Sequence, residues 1–381
     1  MLAIIHATLV LPDRLQPESY LLAEDGVITA TGRMEDVPAL TGAEVYDAEG
    51  RFLAPGLVDI HCHAGGTTWF YEDPAVAARH LLKNGTTTVL PTLYFSMPKD
   101  ELVRNFARIQ AAMHAGETPN VAGFYTEAPY MNPKFGADRE NNPWKGPICR
   151  EEYLPVLEQA GKDARVWVVA PEREHIEDFV KDALAVNPNV HFAVGHSEAT
   201  PYEVEALMPY GLQIATHHTN ATGMLPKYPE CRGVCVDEAV WYHDEIYAEI
   251  ICDRMGIHVD PYMQRLVRKI KGADRIILIS DACVFDGPVP EVGDYAGATD
   301  ILFDWSGEIA GSKLLLLDAC RNWAKHTGAG MAEVFRAASL NPSRAVGFTD
   351  RGEIKSGKRA DLIVVDGGYT LQQVVFEGKL L

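Results

Sequence analysis

Two histidines separated by one residue, His61 and His63, end the segment LVDIHCH. The residues before them are mostly apolar, and such a run is typical of a buried strand. Side chains alternate between the two faces of a strand, so the two imidazoles point the same way. Two imidazoles on one side of a strand end are suitable ligands for a metal ion. The segment therefore predicts part of a metal site, and other parts of the chain must supply the remaining ligands.

Residues of the same chemical kind follow other apolar segments of the chain. Imidazoles favour zinc or iron, and a carboxylate can bridge two metal ions. If all of these segments are strands of one barrel, the residues meet at one end of it. They then predict a hydrolytic site for one or two divalent ions, with zinc or iron as the expected metals. The residues at these strand ends are His61, His63, Glu127, His196, His217 and Asp281.

The elements that would position these residues alternate between apolar strands and helices. The alternation runs through the middle of the chain and is typical of βα units. Several of the helical stretches are closed by a glycine. Eight such units predict a (β/α)8 TIM barrel, with its chemistry at the carboxyl ends of the strands. The predicted strands are 57–61, 87–91, 121–125, 166–169, 190–194, 212–215, 248–251 and 276–279.

Both ends of the chain have a different pattern, with short apolar runs separated by turn glycines. Residues 1–53 contain ATLVL and SYLLAEDGVITATG, and residues 346–381 contain RADLIVV and LQQVVFEGKLL. We expect one small β-sandwich domain built from these two segments. The barrel catalytic domain would then be a single insertion spanning residues 54–345.

Composition limits the class of protein and its partners. The 381 residues carry 34 basic and 53 acidic side chains, a net charge of −19 that disfavours binding to nucleic acid or to anionic membranes. No stretch is long and apolar enough to span a membrane, and the first residues do not read as a signal peptide. Seven cysteines scattered through apolar segments suit reduced thiols. We therefore expect a cytoplasmic enzyme that acts on a small molecule.

Several motifs together resemble the amidohydrolase superfamily, and within it the family of N-acetylglucosamine-6-phosphate deacetylases. The resemblance covers nearly the whole chain in order, and its metal-binding side is complete. It implies a TIM barrel that hydrolyses an amide bond with the help of a divalent metal ion. The motifs are APGLVDIHCH at 54–63, GTTTVLPT at 85–92, GFYTEAPYMNP at 123–133, VGHSEAT at 194–200, ATHHTNA at 215–221, CDRMGIHVDP at 252–261, LISDA at 278–282 and SLNPSRAVGFTDRGEIKSGKRADLIVV at 339–365.

The resemblance implies a role for each matching metal-site residue. Glu127 stands at the glutamate of the family's EGP element, a metal ligand, and His196 and His217 match its two metal-binding histidines. His61 and His63 retain an HxH pair that binds a second metal ion in some members of the family. Asp281 matches the aspartate of the family's TDA element. Beside the water of a metal site, a carboxylate can accept a proton and return it to the departing amine, so we expect Asp281 to act as general base and acid.

Substrate contacts are also implied, with some departures from the family pattern. Asn220 and Ala221 match a pair near the substrate, and His258 matches a histidine that contacts the acyl carbonyl. The family's sugar-contacting histidine is replaced here by Asp138. The phosphate-binding arginine has no clear counterpart, so the candidates in its loop are Lys227 and Arg232.

The predicted reaction is removal of the acetyl group from N-acetylglucosamine 6-phosphate, giving glucosamine 6-phosphate and acetate, by a chain expected to form a homodimer. Two alternatives stay open. The same metal chemistry could act on a different or unphosphorylated N-acyl amino sugar, because the departures lie on the substrate side. A scaffold without catalysis is the second alternative, and the complete set of ligand residues argues against it.

Overall fold

A computed structural model describes residues 1–223, 227–290, 295 and 297–381. Eight parallel strands form a nearly closed barrel in which each strand pairs with its neighbours in chain order. The eighth strand returns to the first, where the Asp281 N–H donates to the His61 carbonyl at 3.0 Å and the His63 N–H to the Ala282 carbonyl at 2.9 Å. The predicted (β/α)8 barrel is confirmed. Its strands are Leu57–Cys62, Thr86–Tyr94, Phe124–Glu127, Ala164–Val169, His191–Val194, Leu212–Ala215, Tyr247–Ile251 and Ile276–Ile279.

Helices surround the barrel and cover the outer face of its strands. Three of them begin with proline at the first helical position, where a missing N–H costs nothing. The side chains of Asp73, Thr200 and Asp260 cap these three helices by accepting main-chain N–H bonds. The helices around the barrel and after it are Pro74–Lys83, Lys99–His114, Arg150–Ala160, Ile176–Val186, Pro201–Leu207, Val236–Tyr242, Pro261–Lys271, Leu316–Thr327, Met331–Phe335 and Asn341–Ala345, with a π-helical turn at Arg336–Leu340.

The two ends of the chain combine into a separate β unit. Its strands form one continuous eight-stranded sheet around a core that includes Leu9, Leu53 and Val364. The predicted small β domain from both termini is therefore present as a single hydrogen-bonded sheet. The boundaries at 53 and 346 stay a prediction. The strands are Leu2–Val10, Leu15–Glu24, Val27–Arg33, Glu44–Asp47, Phe52–Pro55, Leu362–Val365, Leu371–Phe376 and Lys379–Leu380.

A hairpin follows the eighth barrel strand, where the sequence indicates only a loop rich in Gly and Pro. Its strands are Ile301–Phe303 and Ile309–Ser312, paired antiparallel. A smaller two-stranded ribbon, Ala64–Gly65 with Thr68–Trp69, follows the first barrel strand. Both lie next to the carboxyl ends of the barrel strands, so they help to enclose the site described below. None of the helices in the described ranges is long and apolar enough to cross a membrane.

Candidate metal-dependent active site

The six predicted metal-site residues converge at the carboxyl end of the barrel, and all are buried. They form two adjacent groups of three, in each of which the possible ligand atoms lie within 4.8 Å of one another. One group is Glu127 with His196 and His217, and the other is His61 and His63 with Asp281. Residues from five different strands are involved, as expected of a TIM-barrel site.

The carboxylate of Glu127 lies between the two groups. Its Oε1 is 3.0 Å from Nε2 of both His196 and His217, and its Oε2 is 3.3 Å from Nε2 of His63. The Nε2 of His61 is 3.6 Å from Glu127 Oε1. A carboxylate in this position can be shared by two cations.

The imidazoles direct their Nε2 atoms to the centre. The Nδ1 of His63 donates to the Thr92 carbonyl at 3.1 Å, so its Nε2 is the nitrogen available to a metal ion. The Nε2 atoms of His196 and His217 face each other at 2.8 Å. The Nε2 of His61 is buried and has no hydrogen-bond partner among the described residues. A buried nitrogen without a partner, aimed at two carboxylates, fits a metal ion.

The electrostatics of the centre favour a positive charge. Burial alone would lower the pKa of His61, yet the Glu127 and Asp281 carboxylates raise that pKa well above its ordinary value. Burial alone would raise the pKa of Glu127, but the imidazoles of His61 and His196 lower it well below its usual range. The carboxylates are therefore ionised, and they concentrate negative charge where a divalent cation would bind.

Three of the site residues have a backbone conformation that L-residues rarely adopt. The φ angles are 46° at His196, 30° at His217 and 47° at Asp281. Each of these residues lies two positions beyond the last residue of a barrel strand. Strained conformations of this kind tend to cluster at functional sites, where the surrounding fold holds them. The backbone geometry and the side-chain chemistry thus point to the same place.

A buried carboxylate not identified from the sequence supports the centre. Glu249 lies within the seventh strand, and its Oε2 is 3.2 Å from Nδ1 of His61. The same oxygen accepts the His217 main-chain N–H at 3.2 Å. A charged residue in the otherwise apolar strand YAEII was the available signal.

A cavity of about 350 Å³ opens above the metal-site residues. Its walls include Trp69 and Tyr94, whose rings lie against His63 at centroid distances of 6.3 and 5.8 Å. Phe95 lies against His196 at 5.7 Å. This volume and the mixture of aromatic walls with a few polar groups are typical of a small-molecule site.

The loop after the third strand covers one side of the cavity. Gly136 has a φ of +98°, and a Cβ there would lie 2.3 Å from Cζ of Phe95, so a glycine is required. Arg139 in the same loop forms a bidentate ion pair with Glu308 of the hairpin after the eighth strand. This ion pair connects the loop after the third strand with the hairpin after the eighth strand at the cavity.

Asp281 lies beneath the hairpin and lines the cavity. Its carbonyl accepts the Ser312 N–H at 2.9 Å, and its Oδ1 is 3.2 Å from Nε2 of His63. Burial alone would raise the pKa of Asp281, but His61 and His63 lower it. The carboxylate is therefore ionised and can accept a proton.

His258 lines the cavity together with metal-site residues, and Asp253 holds it there. The carboxylate of Asp253 accepts the main-chain N–H of His258 at 2.8 Å and lies 3.2 Å from its Nδ1. Burial alone would raise the pKa of Asp253. Hydrogen bonds from the side chain and main chain of His258 and from the Ile257 N–H instead lower that pKa to about 2. Nε2 of His258 has no partner within the described part of the chain.

The predicted substrate contacts divide into two sets. Asn220 and Ala221 line the cavity together with His258, as the resemblance implies. Asp138 does not line it, because its main-chain N–H bonds to Asp304 and its side chain accepts from Asn141. Its neighbour Arg139 reaches the cavity instead.

The two predicted phosphate-binding residues also lie away from the cavity wall. Arg232 is exposed and pairs with Glu238, and Lys227 is exposed in the same loop. Residues 224–226, which belong to that loop, are outside the described residues. The cations that do line the cavity are Lys134 and Arg139. Sequence reasoning missed both, because their position depends on how a long loop folds.

Comparisons with known proteins agree with this geometry. The Amidohydrolase family profile matches residues 52–381. The N-acetylgalactosamine-6-phosphate deacetylase of Escherichia coli O157:H7 is 30% identical over 382 residues, covering 95% of this chain and 94% of the relative. The N-acetylglucosamine-6-phosphate deacetylase of Haemophilus influenzae is 27% identical, covering 89% of both chains. The crystal structure of N-acetylglucosamine-6-phosphate deacetylase from Pasteurella multocida superposes with a TM-score of 0.84 at 25% identity, covering 100% of this chain and 99% of that one.

Proposed function

The chain belongs to the amidohydrolase family, and on that premise we propose that it removes the acetyl group from N-acetylglucosamine 6-phosphate. The products are glucosamine 6-phosphate and acetate. The observation that carries the proposal is the pair of adjacent ligand groups, with Glu127 between them, beneath a small-molecule cavity that has an ionised Asp281 in its wall. The relatives named as deacetylases of phosphorylated amino sugars support this choice of substrate class.

The family implies a divalent metal, and the six buried side chains fit one or two ions. We propose zinc or iron, because four imidazoles and two carboxylates suit these metals. Glu127, His196 and His217 would hold one ion, and His61 and His63 with Asp281 the second. When bound, the metal would activate water for attack and polarise the acyl oxygen.

Asp281 is proposed as the general base and acid. An amide resists hydrolysis because its carbonyl is a poor electrophile and its nitrogen a poor leaving group. Asp281 can accept a proton from the attacking water and return it to the departing amine. Its position in the cavity wall supports this role.

His258 is proposed to stabilise the developing negative charge on the acyl oxygen. The Asp253 carboxylate lies 3.2 Å from Nδ1 and orients the ring, and Nε2 is the atom without a partner among the described residues. A donor that is already oriented lowers the cost of charge development in the transition state. Asn220 and Ala221 would contact the sugar from the neighbouring wall.

Three further expectations remain proposals. The terminal segments 1–53 and 346–381 would form the small domain, and residues 54–345 the catalytic one. Seven cysteines without a disulfide suit a reducing cytoplasm. The expected homodimer can be tested by sedimentation of the purified protein.

Acetate release provides the direct test of the function. The purified protein should release acetate from N-acetylglucosamine 6-phosphate, lose this activity after treatment with a chelator, and regain it with zinc or iron. The C4 epimer, N-acetylgalactosamine 6-phosphate, should be measured in parallel, because the E. coli relative is named for it. If the metal-loaded protein hydrolyses neither phosphorylated sugar, the proposed substrate class is refuted.

An unphosphorylated substrate is the second candidate, because both cations of the cavity wall are already paired. Lys134 Nζ is 2.6 Å from Glu198 Oε2, and Arg139 pairs with Glu308. A phosphate would have to compete with these carboxylates. Kinetics on N-acetylglucosamine with and without the 6-phosphate would decide between the two candidates.

If the phosphorylated sugar is the substrate, Lys134 is the cation best placed to bind its phosphate, since it lines the cavity alongside Asn220 and Ala221. Lys134→Met should lower kcat/KM about tenfold for the phosphorylated sugar, the scale of one charged hydrogen bond, and leave the unphosphorylated sugar unaffected. Lys227→Met is the matched control, because Lys227 is exposed and outside the cavity wall. An effect confined to Lys227→Met would instead favour the phosphate site expected from the sequence.

A further inference from the structure

Glu249 is a fully buried carboxylate that has no part in the proposed chemistry. It lies in the middle of the seventh strand, where the neighbouring side chains are apolar and equally buried. Burying a carboxylate is costly unless hydrogen bonds compensate. Its contacts therefore indicate what it does.

One oxygen of Glu249 receives three donors. Oε2 is 3.2 Å from Nδ1 of His61, accepts the Thr216 hydroxyl at 3.2 Å and accepts the His217 main-chain N–H at 3.2 Å. The Thr216 hydroxyl is in turn 2.5 Å from the Tyr125 hydroxyl, which can donate to it. Because the carboxylate can only accept, the proton of His61 lies on Nδ1.

This arrangement determines how His61 faces the centre. With Nδ1 bonded to Glu249, Nε2 of His61 points towards Asp281 and Glu127, both 3.6 Å away. The Nδ1 of His63, in contrast, bonds to a neutral group, the main-chain carbonyl of Thr92. An anionic partner makes an imidazole a stronger ligand than a neutral one does.

We propose that Glu249 is a positioning residue for the second metal site, the one formed by His61, His63 and Asp281. The inference rests on the proposed metal-dependent function. Glu249 would hold the His61 ring in place and increase the affinity of that site for its cation. Glu249 contacts the first site only through the main-chain N–H of His217, and the Nδ1 atoms of His196 and His217 have no hydrogen-bond partner among residues the structure describes, so the effect on the imidazoles of that site should be small.

Zinc titration of the metal-free protein against a chromophoric chelator tests the proposal. Wild type should bind two ions, and Glu249→Gln should bind the ion of the second site 10–100-fold less tightly, as is typical when a ligand loses its hydrogen-bonded partner. Asp59→Asn is the matched control. Asp59 is an equally buried carboxylate on the same strand as His61, but its Oδ1 contacts the main-chain N–H groups of His61 and Ser280 and no imidazole.

A double-variant cycle then separates positioning from general support of the fold. In a His61→Asn background, adding Glu249→Gln should cause no further loss of zinc affinity, because the side chain through which Glu249 acts is absent. Circular dichroism and thermal unfolding of the metal-free variants would show whether they are folded. If a folded Glu249→Gln protein binds two ions as tightly as wild type, or if its effect persists without His61, the proposal is overturned.

The proposed function can fail independently of this inference. A wild-type protein that hydrolyses the substrate but binds a single ion would overturn the role of Glu249 and leave the hydrolase intact. The expected affinity pattern in a protein that releases no acetate would support Glu249 and refute the proposed substrate.

Discussion

Replacing Asp281 with asparagine is expected to lower kcat by about 10²–10⁴-fold, the usual contribution of general acid–base catalysis. Asparagine keeps the size of the side chain but cannot accept the proton of the attacking water. The ion held by Glu127, His196 and His217 should remain, because none of these ligands changes. The variant should therefore be a folded protein that contains metal but hydrolyses its substrate very slowly.

Steady-state kinetics combined with metal analysis of the same sample would check this prediction. Glu308→Gln is a useful comparison, because Glu308 also lines the cavity but pairs with Arg139 and lies outside the metal-site groups. That change should act mainly on KM, whereas Asp281→Asn should act mainly on kcat. Near-normal turnover by Asp281→Asn would show that another group is the base.

The barrel could be predicted from sequence because its strands are short, apolar and regularly interrupted by helices. The strands Leu212–Ala215 and Ile276–Ile279 have the bounds that the sequence predicts. The sequence predicts the start of the third strand three residues early, at 121, because Val121 begins an apolar run. In the structure Val121 pairs only through an isolated bridge, and the strand begins at Phe124. Glu127 is consequently the last residue of its strand and does not follow it.

Elements with weak patterns were missed. The helix Val236–Tyr242 has only seven residues, too few to show a clear helical period. The hairpin strands Ile301–Phe303 and Ile309–Ser312 are short, and their position depends on the Ser312 N–H bonding to Asp281. Such long-range contacts leave no local trace in the sequence.

The same distinction applies to the site. Barrel topology alone brings the six metal-site residues together, so their convergence could be predicted from their places at strand ends. The residues of the cavity wall could not be predicted in this way, because the Arg139–Glu308 pair joins loops 169 residues apart. The motif pattern predicts Lys227 and Arg232 as candidates for phosphate binding, whereas the cations that the fold places at the cavity are Lys134 and Arg139.

The second large effect is expected from the double variant His61→Asn with His63→Gln. If two ions take part in catalysis, this change should remove one metal ion per chain. It should also cost several kcal/mol of transition-state stabilisation, the scale expected when a Lewis acid is lost. The structure favours this outcome, because Glu127 is within 3.6 Å of both histidine pairs and is therefore placed to be shared.

Metal content and kcat/KM, measured on the same preparation, separate the possible outcomes. Loss of one ion with nearly full activity would mean that the ion held by Glu127, His196 and His217 is sufficient for catalysis. An unchanged metal content would show that His61 and His63 are not ligands. The first outcome would leave the proposed reaction in place with one ion, whereas the second would also remove the basis of the role assigned to Glu249, because that role depends on His61 binding metal.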